Sequence, residues 1–245
     1  MTLALIDNGS LEPASTFNLR TVAAALSRRC GVAVHPVSWK HSDRVALADL
    51  GGEHAWTLGA FVREHVARGE RRFVFVPFFI SAQGAIGSAL RHDLEALQAE
   101  LTRFDFALLP GLAALRVIPR IVAERIRATI TTAGLVRPPV VLVDHGGPAR
   151  ASADLRDRLC REVRTELGPE AGAVAASSME GSFPPLLADT LRGPAVVGRA
   201  VIIAPLFLSP GRHAGPGGDI ARICRESPAQ CHLTDRKSTR LNSSH

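Results

Sequence analysis

VLVDHGGP (residues 141–148) and LALIDNGS (residues 3–10) share one pattern: an apolar run, an aspartate, one polar residue and a glycine. The rhyme continues downstream. FVFVPFFISAQG (73–84) and VIIAPLFLSPGR (201–212) each run from an apolar stretch into a proline, two bulky residues, an aliphatic and a serine. Repetition on this scale predicts two related halves, 1–113 and 138–234, with 114–137 as a connecting helix that Pro119 can kink. Within each half, apolar runs alternate with stretches of helical period. Strands are expected at 2–7, 31–37, 72–80, 104–110, 139–144, 172–179 and 199–208, with a short strand-like CHLT near 231–234. Helices are expected at 14–29, 54–69, 88–102, 151–167 and 183–192. The strand runs lack strict alternation of polar and apolar residues, as strands buried on both faces do. The fold class expected is therefore α/β, two similar halves, each a parallel sheet flanked by helices.

The chain has 245 residues, 46% of them hydrophobic, enough for one large domain or two small ones. No run of about 18 apolar residues occurs, so no membrane span is expected. The first residues enter a strand pattern directly rather than a secretory signal, and cytoplasmic residence is the expectation. Cys30, Cys160, Cys224 and Cys231 form no C-x-x-C pair and read as free thiols. The formal charge of +6 comes mostly from scattered arginines. Without a basic block or a stacking motif it gives no case for nucleic acid. Residues 235–245 (DRKSTRLNSSH) are polar and aperiodic and read as a non-native tail on a chain cut before its last helix. Removing them takes away three cations and one anion, so the charge falls from +6 to +4. Oligomeric state stays open between monomer and homo-oligomer.

Ligands in open α/β sheets sit at the carboxyl ends of strands. In the second half those ends carry His145, Glu180 and His213, spaced 35 and 33 residues apart, one β/α unit each. In the first half Asn8 stands opposite His145, and alignment of Pro77 with Pro205 sets Ala85 opposite His213. One copy holds groups that bind metal or move protons; the other does not. A lone histidine after a strand is usually structural, so the joint placement is what singles these out. Asp7 and Asp144 read as braces of the loops that follow them.

The motifs VDHGGP with His145, SMEGSFPPLL with Glu180 and PLFLSPGRHAGPGGDI with His213 resemble those of the class II tetrapyrrole chelatases, the sirohydrochlorin cobaltochelatase/ferrochelatase (CbiX-type) group. The resemblance covers residues 1–234. It implies two α/β halves facing a cleft in which a divalent ion enters a metal-free tetrapyrrole. Many members carry the first histidine in the N-terminal half, where this chain has Asn8; other chelatases of the superfamily keep their histidines in the second half.

Metal insertion needs an ion that has shed water, two departing pyrrole protons and a bent ring. Neutral imidazole suits borderline divalent metals, and a carboxylate adds charge and accepts protons. His145, His213 and Glu180 are therefore the expected catalytic and metal-ligating residues, an incomplete shell that leaves positions open for transfer. Gly146 and Gly147 would let the backbone approach the macrocycle, and Arg150 and Arg212 would pair with its carboxylates. No phosphate-binding G-x-x-x-x-G-K-[ST] occurs, so no nucleotide is expected. The metal substrate is Co2+ or Fe2+, since these donors accept either. A non-catalytic tetrapyrrole or metal carrier is the alternative from a binding class, and a two-lobed solute-binding module a third.

Overall fold

The computed structural model describes residues 1–80, 85–101, 104–147, 149–208, 211–215 and 217–234. The tail 235–245 lies outside the described residues, as do the side chains of Ala85 and Arg212. The chain divides into two compact units: Met1–Leu115 with Leu208–Arg212, and Arg116–Phe207 with the residues from His213 onward.

The first unit runs β1 (Thr2–Asp7), α1 (Pro13–Cys30), β2 (Val34–Ser38), β3 (Trp56–Thr57), α2 (Leu58–Ala67), β4 (Arg72–Pro77), α3 (Ala85–Leu101) and β5 (Asp105–Leu108). Its five strands stand in the order β3-β2-β1-β4-β5, every pair parallel. Successive side chains of a strand point to opposite faces, and here both faces are covered. Leu5 packs with Leu19 and Ala23 of α1. Ala4 and Ile6 pack on the other side with Phe61, Phe73, Phe75 and Leu94. That double burial is why the apolar runs are continuous rather than alternating.

The second unit runs α4 (Ile118–Ala133), β6 (Val140–Asp144), α5 (Arg150–Leu167), β7 (Val174–Ser178), α6 (Leu187–Arg192), β8 (Ala200–Pro205), α7 (Gly211–Ala214), α8 (Asp219–Arg225) and β9 (Gln230–Leu233). Four parallel strands stand in the order β7-β6-β8-β9. This is the order β2-β1-β4-β5 of the first unit with its edge strand reduced to one bridge, Ser178 to Leu186. The register repeats as well: Asp7 lies across from Ser38, and Asp144 across from Ser178. Helices α1 and α5 are both 18 residues long.

The connecting segment differs from expectation. Helix α4 begins at Ile118, so Pro119 lies in its first turn, where its missing N–H costs no hydrogen bond and no kink arises. The helix packs on α5 and β8 as part of the second unit. Among the described residues no helix is long and apolar enough to cross a membrane.

Candidate functional site

The site begins with two turns locked together at the ends of β6 and β7. Met179 N–H donates to the Asp144 carbonyl at 2.9 Å, and Glu180 N–H donates to the His145 carbonyl at 3.1 Å. Gly146 takes φ 82°, and a Cβ there would lie 1.7 Å from the Glu180 carbonyl oxygen. A glycine is thus required by the approach of the second turn. This is a structural reason for Gly146 beside the one expected from the sequence, approach of the backbone to a macrocycle. At Gly147 an added Cβ would meet nothing within 4 Å.

Beneath the turns lies a polar brace. Ser178 Oγ donates to Asp144 Oδ1 at 2.7 Å. Arg156, only 2% exposed, reaches from α5 and donates to Ser178 Oγ at 2.6 Å, the Phe183 carbonyl at 3.2 Å and the Pro184 carbonyl at 3.3 Å. Its Nε also meets Asp157 at 2.9 Å. Burial raises the pKa of Asp144, while Ser178 and the guanidinium oppose that rise. A buried charge needs several partners to survive out of water, and Arg156 has them.

On this frame the structure brings together the side chains that the sequence picked out. The rings of His145 and His213 stand edge to face, centroids 4.7 Å apart and planes at 83°. His145 Nε2 lies 3.5 Å from Glu180 Oε1. His213 Nδ1 lies 2.8 Å from Asp219 Oδ2 at the start of α8. A carboxylate only accepts, so this contact puts the proton on Nδ1 and leaves the lone pair on Nε2. The same logic holds for His145, whose Nδ1 faces the Gly146 carbonyl at 3.1 Å. In the neutral tautomer with the proton on Nδ1, its Nε2 lone pair is directed toward a carboxylate oxygen, itself an acceptor; with a proton on Nε2 the same contact is a hydrogen bond to Glu180. Two donors about 2.1 Å from a tetrahedral ion stand roughly 3.4 Å from each other, so the observed gap fits one shared cation. Among the described residues no group of three such side chains yet stands in geometry to hold a metal ion. Glu180 is 62% exposed at its side chain and free to turn toward one.

Arg150 is not brought to the imidazoles by any contact; it pairs with Asp154 at 3.1 Å and lies over the Phe183 ring at 5.9 Å. Asp219 and Arg156 escaped the sequence reading. The first lies six residues past His213, beyond a glycine-rich turn. The second sits among eight other charged residues of α5 and reads as solvated.

The first unit repeats the frame with different groups. Trp39 N–H donates to the Asp7 carbonyl at 2.7 Å, and Gly9 N–H donates to Asp7 Oδ1 at 2.9 Å. A Cβ on Gly9, φ 81°, would lie 1.7 Å from the Lys40 carbonyl oxygen. Lys40 therefore occupies the place of Glu180, and Asn8 that of His145. Lys40 Nζ lies 3.4 Å from Asp93, beside a hollow of about 280 Å³ also lined by Trp39, Arg44 and Thr57. Leu19 fills the place of Arg156. Asp7, without a guanidinium near it, has its pKa pushed up to about 6 by burial, against hydrogen bonds from Ser38 and Gly9. Where the second unit gathers cation-binding groups, the first presents a cation.

No family model and no curated protein matches the sequence. Solved structures do match the fold. SirB from Bacillus subtilis with Fe3+ superposes with a TM-score of 0.67 at 12% identity, over 96% of this chain and 88% of that one. CbiX, described as the terminal enzyme for siroheme biosynthesis in denitrifying bacteria, gives 0.67 at 18% identity, over 96% and 91%. The sirohydrochlorin chelatase SirB from Bacillus subtilis subspecies spizizenii in complex with cobalt gives 0.63 at 11%, over 96% and 87%. The two parallel-sheet α/β halves of this chain are the fold of those chelatases.

Proposed function

We propose that this chain is a metal chelatase that inserts a divalent ion, Co2+ or Fe2+, into sirohydrochlorin, in cobalamin or siroheme biosynthesis in the cytoplasm. One observation carries the reading. His145 Nε2 and the Glu180 carboxylate face each other across 3.5 Å, with the His213 ring packed at their side. With the His145 proton on Nδ1 the two face each other as acceptors, and a cation between them, a metal ion or a proton, relieves their repulsion. The fold shared with chelatase structures holding Fe3+ or cobalt supports the metal.

In this reading the ion exchanges water for His145, His213 and Glu180, a shell loose enough to release it. As the ring nitrogens take the ion, two pyrrole protons leave, and the carboxylate and imidazoles accept them. Charge balances, since one divalent ion enters the ring as two protons depart. Asp219 holds the His213 ring, and the Asp144–Ser178–Arg156 brace holds the turn under His145. The ion pair of Arg150 with Asp154 is exposed and worth at most about 1 kcal/mol, so a carboxylate of the tetrapyrrole can displace it. Arg212 is proposed for the same role from its place in the sequence.

A second reading, a non-catalytic tetrapyrrole or metal carrier, is favoured by the first unit, where Asn8 and Lys40 replace the imidazole and carboxylate. Purified protein mixed with excess sirohydrochlorin and Co2+ or Fe2+ separates the two. A chelatase converts many equivalents of ring per protein, followed by absorbance. A carrier stops near one equivalent.

A further inference from the structure

Two imidazoles that the proposed chemistry does not use meet in the first unit. His35 lies on β2 and shares a face with Val37, since residues two apart on a strand point the same way. His65 lies on α2, four residues past Phe61, and shares a helix face with it. Those two faces pack together: Val37, Leu58, Phe61 and Val62 belong to one buried apolar cluster. The rings of His35 and His65 stand 5.3 Å apart between centroids, with their planes at 71°. Both residues are half-buried. The Phe61 ring lies 4.0 Å from that of His65 and 5.4 Å from that of His35, and the Trp56 ring lies 6.2 Å from His65.

Packing alone does not account for the pair, because taking a ring nitrogen out of water carries a cost that phenylalanine would avoid. His65 Nδ1 lies 2.9 Å from the Phe61 carbonyl. A carbonyl only accepts, so this hydrogen bond puts the proton on Nδ1, and a neutral ring then keeps its lone pair on Nε2. Among the described residues no hydrogen bond is made by either ring nitrogen of His35. The spacing of the rings suits one shared ion. An imidazole nitrogen about 2.1 Å from a metal sets its ring centroid about 3.2 Å away, and two such rings at a tetrahedral angle lie about 5.2 Å apart.

We propose that His35 and His65 form a second metal site, confined to the first unit, for a divalent transition ion of the class that imidazole favours, Ni2+, Cu2+ or Zn2+. Among the described residues no third such donor completes the group, so water fills the other positions. The site is independent of the chelatase reading, since it uses other residues in the other unit.

The test uses the full chain carrying His145→Ala and His213→Ala, which removes the proposed insertion site. Ni2+ alone is titrated into it near neutral pH, followed by calorimetry and tryptophan fluorescence. The expected result is one ion bound per chain, with emission quenched through the neighbouring Trp56. Adding His35→Phe or His65→Phe, which keeps a ring in place but removes the donor, weakens binding at least about tenfold. His54→Ala, two residues from Trp56, leaves binding and quenching as they were. Proton NMR of the starting chain gives a reading that needs no further variant: Ni2+ broadens the ring protons of two histidines ahead of the rest. Unchanged affinity in either phenylalanine variant, quenching lost only with His54→Ala, or broadening spread evenly over the histidines overturns the proposal. None of these readouts needs a tetrapyrrole, so they stand or fall apart from metal insertion.

Discussion

Replacing Asp7 with asparagine will make the protein more stable at neutral pH. Asp7 is 7% exposed, and burial raises its pKa from an ordinary 3.8 to about 6. The folded protein thus holds this proton more tightly than the unfolded chain. The stability that goes with it is fully present below the unfolded pKa and is lost as pH rises through about 6. A shift of about two units corresponds to about 3 kcal/mol, of which roughly 2 kcal/mol develops between about pH 4.5 and 7.5. Asparagine keeps the carbonyl that accepts from Gly9 N–H and offers an amide to Ser38, without the charge. Trp39 and Trp56 are the only tryptophans and both lie in the first unit, so their fluorescence follows its unfolding in urea. With a urea dependence of about 2 kcal/mol per molar, the variant's midpoint gains about 1 M on the wild type between the two pH values. A difference in midpoint that does not change with pH would falsify burial as the origin of the shift.

Arg156→Leu installs the residue that the first unit carries at the equivalent position, but strands Asp144, Ser178 and two carbonyls. It will cost roughly 3–5 kcal/mol in unfolding of the second unit, measured by circular dichroism in denaturant. A loss below about 1 kcal/mol would mean that the brace is not needed. Gly146→Ala must part the His145 and Glu180 turns and will destabilise by more than about 1 kcal/mol, whereas Gly147→Ala will change melting little. Equal effects at the two glycines would contradict the interlocked turns. Asp219→Asn, with the fold unchanged by circular dichroism, will slow metal insertion about 10–100-fold through a misdirected His213 ring. An unaltered rate would show that Asp219 serves only as an acidic residue in the first turn of α8.

Much of this was legible in the chain because the decisive signals are local. An aspartate at a strand end followed by an obligate glycine reads the same in both halves, and doubly buried strands announce themselves as unbroken apolar runs. Asn8 against His145 could be aligned on those landmarks. Lys40 against Glu180 could not, because HPVS of β2 and AASS of β7 share little beyond the final serine. Pro119 was expected to kink a helix that begins one residue before it; the boundary depends on tertiary packing. Arg156 left a trace that was there to be used. Ala153, Arg156, Cys160, Val163 and Leu167 form one helical stripe, all buried, and a charged residue inside an apolar stripe must have partners. Asp219 left none, since its contact with His213 depends on how a glycine-rich turn folds back.

Steady-state insertion of Co2+ into sirohydrochlorin by the wild type, His145→Ala, His213→Ala and Asn8→Ala, each verified as folded, puts the asymmetry of the two halves to the test. Loss of at least 100-fold in both histidine variants, about 2.7 kcal/mol of transition-state stabilisation, with near wild-type turnover in Asn8→Ala, is the outcome expected. Full rates in both histidine variants would place the chemistry elsewhere in the molecule.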